Sequence, residues 1–181
     1  MESHLRTELV LAALLRRLNT VSGLDDADIA AIRALPIIVR QCEAGRAIVS
    51  DGSRPTECCL VIEGFCVRAK TTVSGQRQIL SIHIAGEIPD LQNLHLHRMD
   101  HDLIAVVPST LGFISHASLR ALTRTNPNIA EVLWRDTLID AMDDSPELRW
   151  VGDDNLHLTL RFIGEVERPL ADDIAAALSR I

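Results

Sequence analysis

The sequence predicts an α+β protein: leading helices, a small antiparallel sandwich or roll, a long helix, and a closing strand and helix. Three observations carry this. From Ile37 to Ser115 the chain runs as short apolar segments separated by turn residues, and short strands so spaced pack as antiparallel layers. On either side of them the apolar spacing changes to the 3.6-residue period of helices. Near the end, Leu156, Leu158, Leu160 and Phe162 alternate with His157, Thr159 and Arg161, the period of a half-buried strand.

In chain order, Leu11, Leu14, Leu15 and Leu18 stand at i, i+3, i+4 and i+7, an amphipathic helix with Arg16 and Arg17 on its polar side. Asp25 and Asp26 supply a start for a helix over Ala27 to Leu35, and Pro36 stops it. The strand runs are "PIIVRQ", "RAIVS", "ECCLVIEG", "FCVRAKTTV", "QILSIHIAGE" and "DLIAVVPSTLGFIS". Between the last two lies the long punctuation "IPDLQNLHLHRMDH". Ser115 is an N-cap for the helix "HASLRALTRTN", and Pro127 opens another, "PNIAEVLWRDTLIDAM". In the latter Ile129, Val132, Leu133, Ile139 and Met142 form an apolar stripe, interrupted by Asp136, that fits packing on the β domain or on a second subunit. "DDSPE", Asp143 to Glu147, breaks the pattern. A strand over Leu156 to Ile163 and a helix over Pro169 to Ile181 follow, too little chain to bury a core alone.

Composition narrows the function. Hydrophobic residues are 47% of the 181, ample for a core, but aromatics are 3% with no Tyr, which argues against base-stacking surfaces. A net charge of −7 is the wrong sign for a free-standing nucleic-acid binder. Cys42, Cys58, Cys59 and Cys66 contain no C-x-x-C pair, and reduced thiols packed in a core are expected. No signal-peptide pattern opens the chain, and the run Leu9 to Leu15 is too short to span a bilayer, so a cytoplasmic protein with no membrane contact is expected.

The order of these elements resembles the sensor half of the Crp/Fnr regulators, over residues 8–142. "CLVIEGFCVR", Cys59 to Arg68, looks like that family's hairpin with Gly64 at the turn. "IAGEIPDL", Ile84 to Leu91, looks like the start of its phosphate-binding segment, and "LWRDTLIDA", Leu133 to Ala141, like its dimerisation helix. The resemblance implies a jelly-roll-like β-roll that binds a small-molecule effector, a long dimer helix and a homodimer. The effector residues carried over are Gly86 and Glu87, with Arg98 the nearest candidate for the phosphate arginine. The sequence departs from the family at that arginine step, which falls at Met99, Asp100 and His101. Asp100 and Asp102 there would repel a phosphate, so cyclic AMP is not expected to bind and the effector is unknown. His95, His97 and His101 in the same stretch are metal-capable, against the plainer reading of a solvated loop. No cofactor is expected.

"RWVGDDNLHLTLRFIGEV", Arg149 to Val166, resembles the first motif of the two-histidine phosphoesterases, the 2′–5′ RNA ligase-like cyclic phosphodiesterases. In that chemistry one H-x-T supplies a general base, a second supplies the acid, and both threonines hold the phosphate. His157 and Thr159 form one such half, and the sequence holds no second H-x-T. The expected organisation is therefore a sensor domain over 1–142 joined to a βα fragment over 143–181. The function expected is effector sensing without a helix-turn-helix or DNA binding by this chain. The joining of the two parts is read as a natural, frameshifted or engineered chimera. The alternatives are an RNA 2′,3′-cyclic phosphodiesterase pooling half-sites across a dimer, and an engineered or structural fusion with no present activity.

Overall fold

The computed structural model describes residues 2–71, 75, 77–96 and 98–143. The residues for which the sequence predicts a C-terminal strand and helix, with His157 and Thr159, and also His97, lie outside the described residues.

Helices α1 (Glu2–Val21) and α2 (Asp26–Arg33) lead into seven described strands, then α3 (His116–Thr125) and α4 (Pro127–Asp143). The helix caps at Asp25 and Ser115 are built as expected. Asp25 caps α2 through a reciprocal box with Asp28, and the Ser115 hydroxyl accepts from Ser118 N–H at 3.0 Å.

The strands are β1 (Ile37–Cys42), β2 (Ala47–Val49), β3 (Glu57–Glu63), β4 (Cys66–Thr71), β5 (Arg77–His83), β6 (Asp102–Ala105) and β7 (Ser109–Ser115). They form two antiparallel sheets, ordered β1-β7-β3 and β2-β6-β4-β5. This is the α+β architecture with a β-roll and flanking helices that the sequence predicts.

Two details differ from the sequence reading. The turn at Gly64 does not close a hairpin: β3 pairs with β7 and β4 with β5 and β6, so the chain crosses between sheets there. The run "DLIAVVPSTLGFIS" is two strands, one in each sheet, parted at Val106–Pro108, where proline has no N–H for a ladder. The two crossings touch. Gly64 has φ +84, and a Cβ on it would lie 3.0 Å from Ser109 Cα, so both the turn and the contact demand glycine.

Alternation sorts the core into layers. Cys58, Leu60 and Ile114 leave the three-stranded sheet on the helix side and pack with Leu14, Leu18, Ile32, Leu119, Ile129 and Val132. Cys59, Val61 and Leu111 leave it on the other side and meet Cys66 and Leu103 of the four-stranded sheet. Adjacent Cys58 and Cys59 thus serve different layers, and all four cysteines are free thiols.

Candidate effector site

Where β5 ends, the chain turns through Ile84–Glu87 and runs to a short 3-10 helix, Leu91–Leu94, inside the stretch that read only as punctuation. Gly86 adopts φ +95, and a Cβ there would stand 2.7 Å from Ala13 O, so α1 lies directly on the turn. One helical turn on from Ala13, Arg17 is thereby brought over Glu87.

The result is a chain of polar side chains in a dry place. Arg17 Nη1 donates to Glu87 Oε1 at 2.7 Å and Arg17 Nε to Asp136 Oδ1 at 2.8 Å. Glu87 Oε2 lies 2.9 Å from His83 Nδ1, and His83 Nε2 lies 2.8 Å from Ser81 Oγ. An imidazole donating from Nδ1 to the carboxylate accepts the Ser81 hydroxyl at Nε2. Glu87, His83 and Asp136 are 1%, 0% and 4% exposed, so one guanidinium holds two buried carboxylates, one on the β-roll and one on α4.

The loop beyond is also tied down. Gly86 N–H donates to Val61 O at 2.8 Å, and Val61 N–H to Glu87 O at 2.9 Å. Arg68, inward-facing on β4 opposite Ser81, donates from Nε to Pro89 O at 2.8 Å. Asp90 is fully buried. Its Oδ1 accepts from Cys59 N–H at 2.8 Å, while burial pushes its carboxyl up to about 7. Burial likewise pushes the Cys66 thiol up to about 12, that of an inert core cysteine.

Of the residues read from the sequence, Gly86 and Glu87 are at this turn, and Glu87 faces Arg17 and His83. Arg98 is elsewhere: exposed, its Nε donates to Gly52 O at 3.0 Å. His95 is exposed and stacks on Trp134, with ring centroids 4.8 Å apart. His101 is buried, with Nδ1 2.7 Å from Asp100 Oδ1. Among the described residues no group of three His, Cys, Asp or Glu is placed to hold a metal.

The sequence reading missed Arg17, Ser81, His83 and Arg68. It placed Arg17 on the polar face of α1, whereas the side chain reaches under α4 to two buried acids. Two signals were available: Asp136 breaking an apolar stripe, and Ser81 and His83 two apart on one strand face.

Two layered sheets in this order, closed by a Gly-Glu turn and followed by a long helix, decide the fold. The β-roll has the fold of a Crp/Fnr-type sensor domain. Residues 39–126 match the cyclic nucleotide-binding domain family. The fold is similar to the sensor domain of the transcriptional regulator DNR from Pseudomonas aeruginosa, at TM-score 0.62 and 17% identity, covering 87% of this chain and 100% of that one. It is similar to the N-terminal domain of a transcriptional regulator from Streptomyces coelicolor, at TM-score 0.57 and 19% identity, covering 79% and 99%. Against the Thermus thermophilus Catabolite Activator Protein the TM-score is 0.61 at 21% identity, covering 74% of this chain and 62% of that one. No curated protein matches the chain. A second family model, LigT like Phosphoesterase, matches residues 136–181, beginning inside α4. Within the sensor fold, Ser81, His83 and Glu87 fall in the cyclic nucleotide-binding match, while Arg17 and Asp136 lie outside it on the flanking helices.

Proposed function

We propose that this chain is the effector-sensing, non-enzymatic part of a Crp/Fnr-type regulator, in which Arg17 reports the state of the β5 turn to α4. The observation that carries this is Arg17 held between Glu87 and Asp136. An effector that shifts the turn must either move the guanidinium or break one of two charge-assisted bonds at little-exposed acids, and both outcomes change what holds α4. Glu87 is already engaged by Arg17 and His83, and Arg98 by the 50–53 turn. Those commitments support an effector other than cyclic AMP, and calorimetry with cyclic AMP is expected to give no low-micromolar binding.

A double-mutant cycle tests the reporting role. Glu87→Gln and Asp136→Asn touch different elements, so independent sites would add within about 0.3–0.5 kcal/mol. Coupling through Arg17 gives an interaction energy of about 1 kcal/mol or more, and simple additivity contradicts it.

The match over residues 136–181 favours a second reading for the tail, descent from a two-histidine phosphoesterase. With one H-x-T, the general acid or base that contributes about 10²–10⁴-fold lacks its counterpart, and no turnover of 2′,3′-cyclic phosphates is expected. Hydrolysis abolished by His157→Ala would instead establish that two chains pool their half-sites.

A further inference from the structure

A groove of about 170 Å³ opens where the 3-10 helix Leu91–Leu94 meets α3 and α4. Its floor is apolar, from Leu94, Ala130 and Leu133, and one wall is the stacked pair Trp134 and His95. Gln92 and Thr123 supply polar groups, and no Asp, Glu, Lys or Arg lines it. Gln92 Oε1 accepts from Arg68 Nη2 at 3.4 Å, while its amide nitrogen makes no hydrogen bond among the described residues.

We propose that this groove binds a small, uncharged aromatic molecule of about one ring, and that this molecule is the effector. The size follows from the volume, since an apolar cavity of about 150 Å³ accepts benzene. An uncharged ligand is favoured because no Asp, Glu, Lys or Arg in the lining offers an ion a fixed opposite charge. A flat shape follows from the stacked Trp134 and His95 rings of the wall, Trp134 being an exposed residue. The Gln92 amide, a donor on the groove wall, suits a hydroxyl or carbonyl on the ring.

Location gives the occupant its leverage. It would touch the 3-10 helix and α4 together, and through Gln92 it would press on Arg68, which holds Pro89 beside Asp90. This assignment rests on the effector-sensing reading above, but the Glu87/Asp136 cycle does not depend on it, so either can fail alone.

The test titrates phenol into the full chain by calorimetry and by fluorescence, with Trp150→Phe isolating the Trp134 signal. Saturable millimolar or tighter binding is expected, with benzoate and cyclic AMP failing to compete. Ala130→Leu, which fills the groove with a good helix former, is expected to weaken phenol at least tenfold, while Arg98→Ala leaves it unchanged. Gln92→Leu is expected to weaken phenol about tenfold but not toluene. Absence of saturable phenol binding, or binding indifferent to Ala130→Leu, overturns the proposal. So does a finding that the wild type binds no probe while Ala130→Leu dissociates a dimer, because the groove would then be covered by a second copy.

Discussion

Asp90 carries a buried carboxyl with one oxygen on the Cys59 N–H and the other without a hydrogen-bond partner among the described residues. Burial raises it from 3.8 to about 7, so the folded state keeps a proton that the unfolded state has already released. Stability from this group is therefore fully present below pH 3.8 and falls as pH rises toward about 7. Asp90→Asn keeps the acceptor for Cys59 and removes the titration, so urea melts of the variant are expected to show a flatter stability profile across that window. An unchanged slope would assign the pH dependence elsewhere. Gly64 and Gly86 are the other decisive single residues. Replacing either with Ala forces a left-handed φ and a clash with Ser109 or Ala13, costing roughly 1–3 kcal/mol each by thermal melt. At this scale the sequence was only partly legible: Gly86 and Glu87 were identifiable, but Glu87's partners sit 70 residues away on α1 and four away on β5. Only folding brings those partners together.

Among the elements, helices and strands were largely legible because their signals are local: period, caps and turn residues. Two sheet crossings were not, because a run such as "DLIAVVPSTLGFIS" is continuous in hydropathy while its two strands are wanted by different sheets. The 3-10 helix Leu91–Leu94 was missed for a related reason, its single turn being too short to show a period. The helix cap is a direct check on the local reading. Asp25→Ala removes the acceptor of Asp28 N–H at 2.8 Å and is expected to cost about 1 kcal/mol. Arg17 checks the nonlocal one. Arg17→Met preserves an apolar stem but takes the cation away from two buried carboxylates, Glu87 keeping His83. A loss of about 3 kcal/mol is expected, the low end for breaking a buried pair because Arg17 is 20% exposed. A loss within ordinary surface-residue effects would mean that solvent already screens these bonds.

For the whole molecule, α4 has two faces. Ile129, Val132, Leu133 and Asp136 pack inward, whereas Trp134, Leu138 and Ile139 are 47%, 55% and 43% exposed. Large apolar side chains left in water along one helix favour association, and a homodimer is expected through the exposed residues outside the groove, with Leu138→Glu and Ile139→Glu together giving a monomer by light scattering. A wild type that stays monomeric across a dilution series would remove the dimer. In the proposed mechanism α4 is held by the β5 turn through Arg17. Amide hydrogen exchange measured along α4 in the wild type and in Arg17→Met addresses it most directly. Protection across residues 129–139 is predicted to fall while that of α3 holds. Unchanged exchange in α4, or an equal loss in both helices, would contradict the claim.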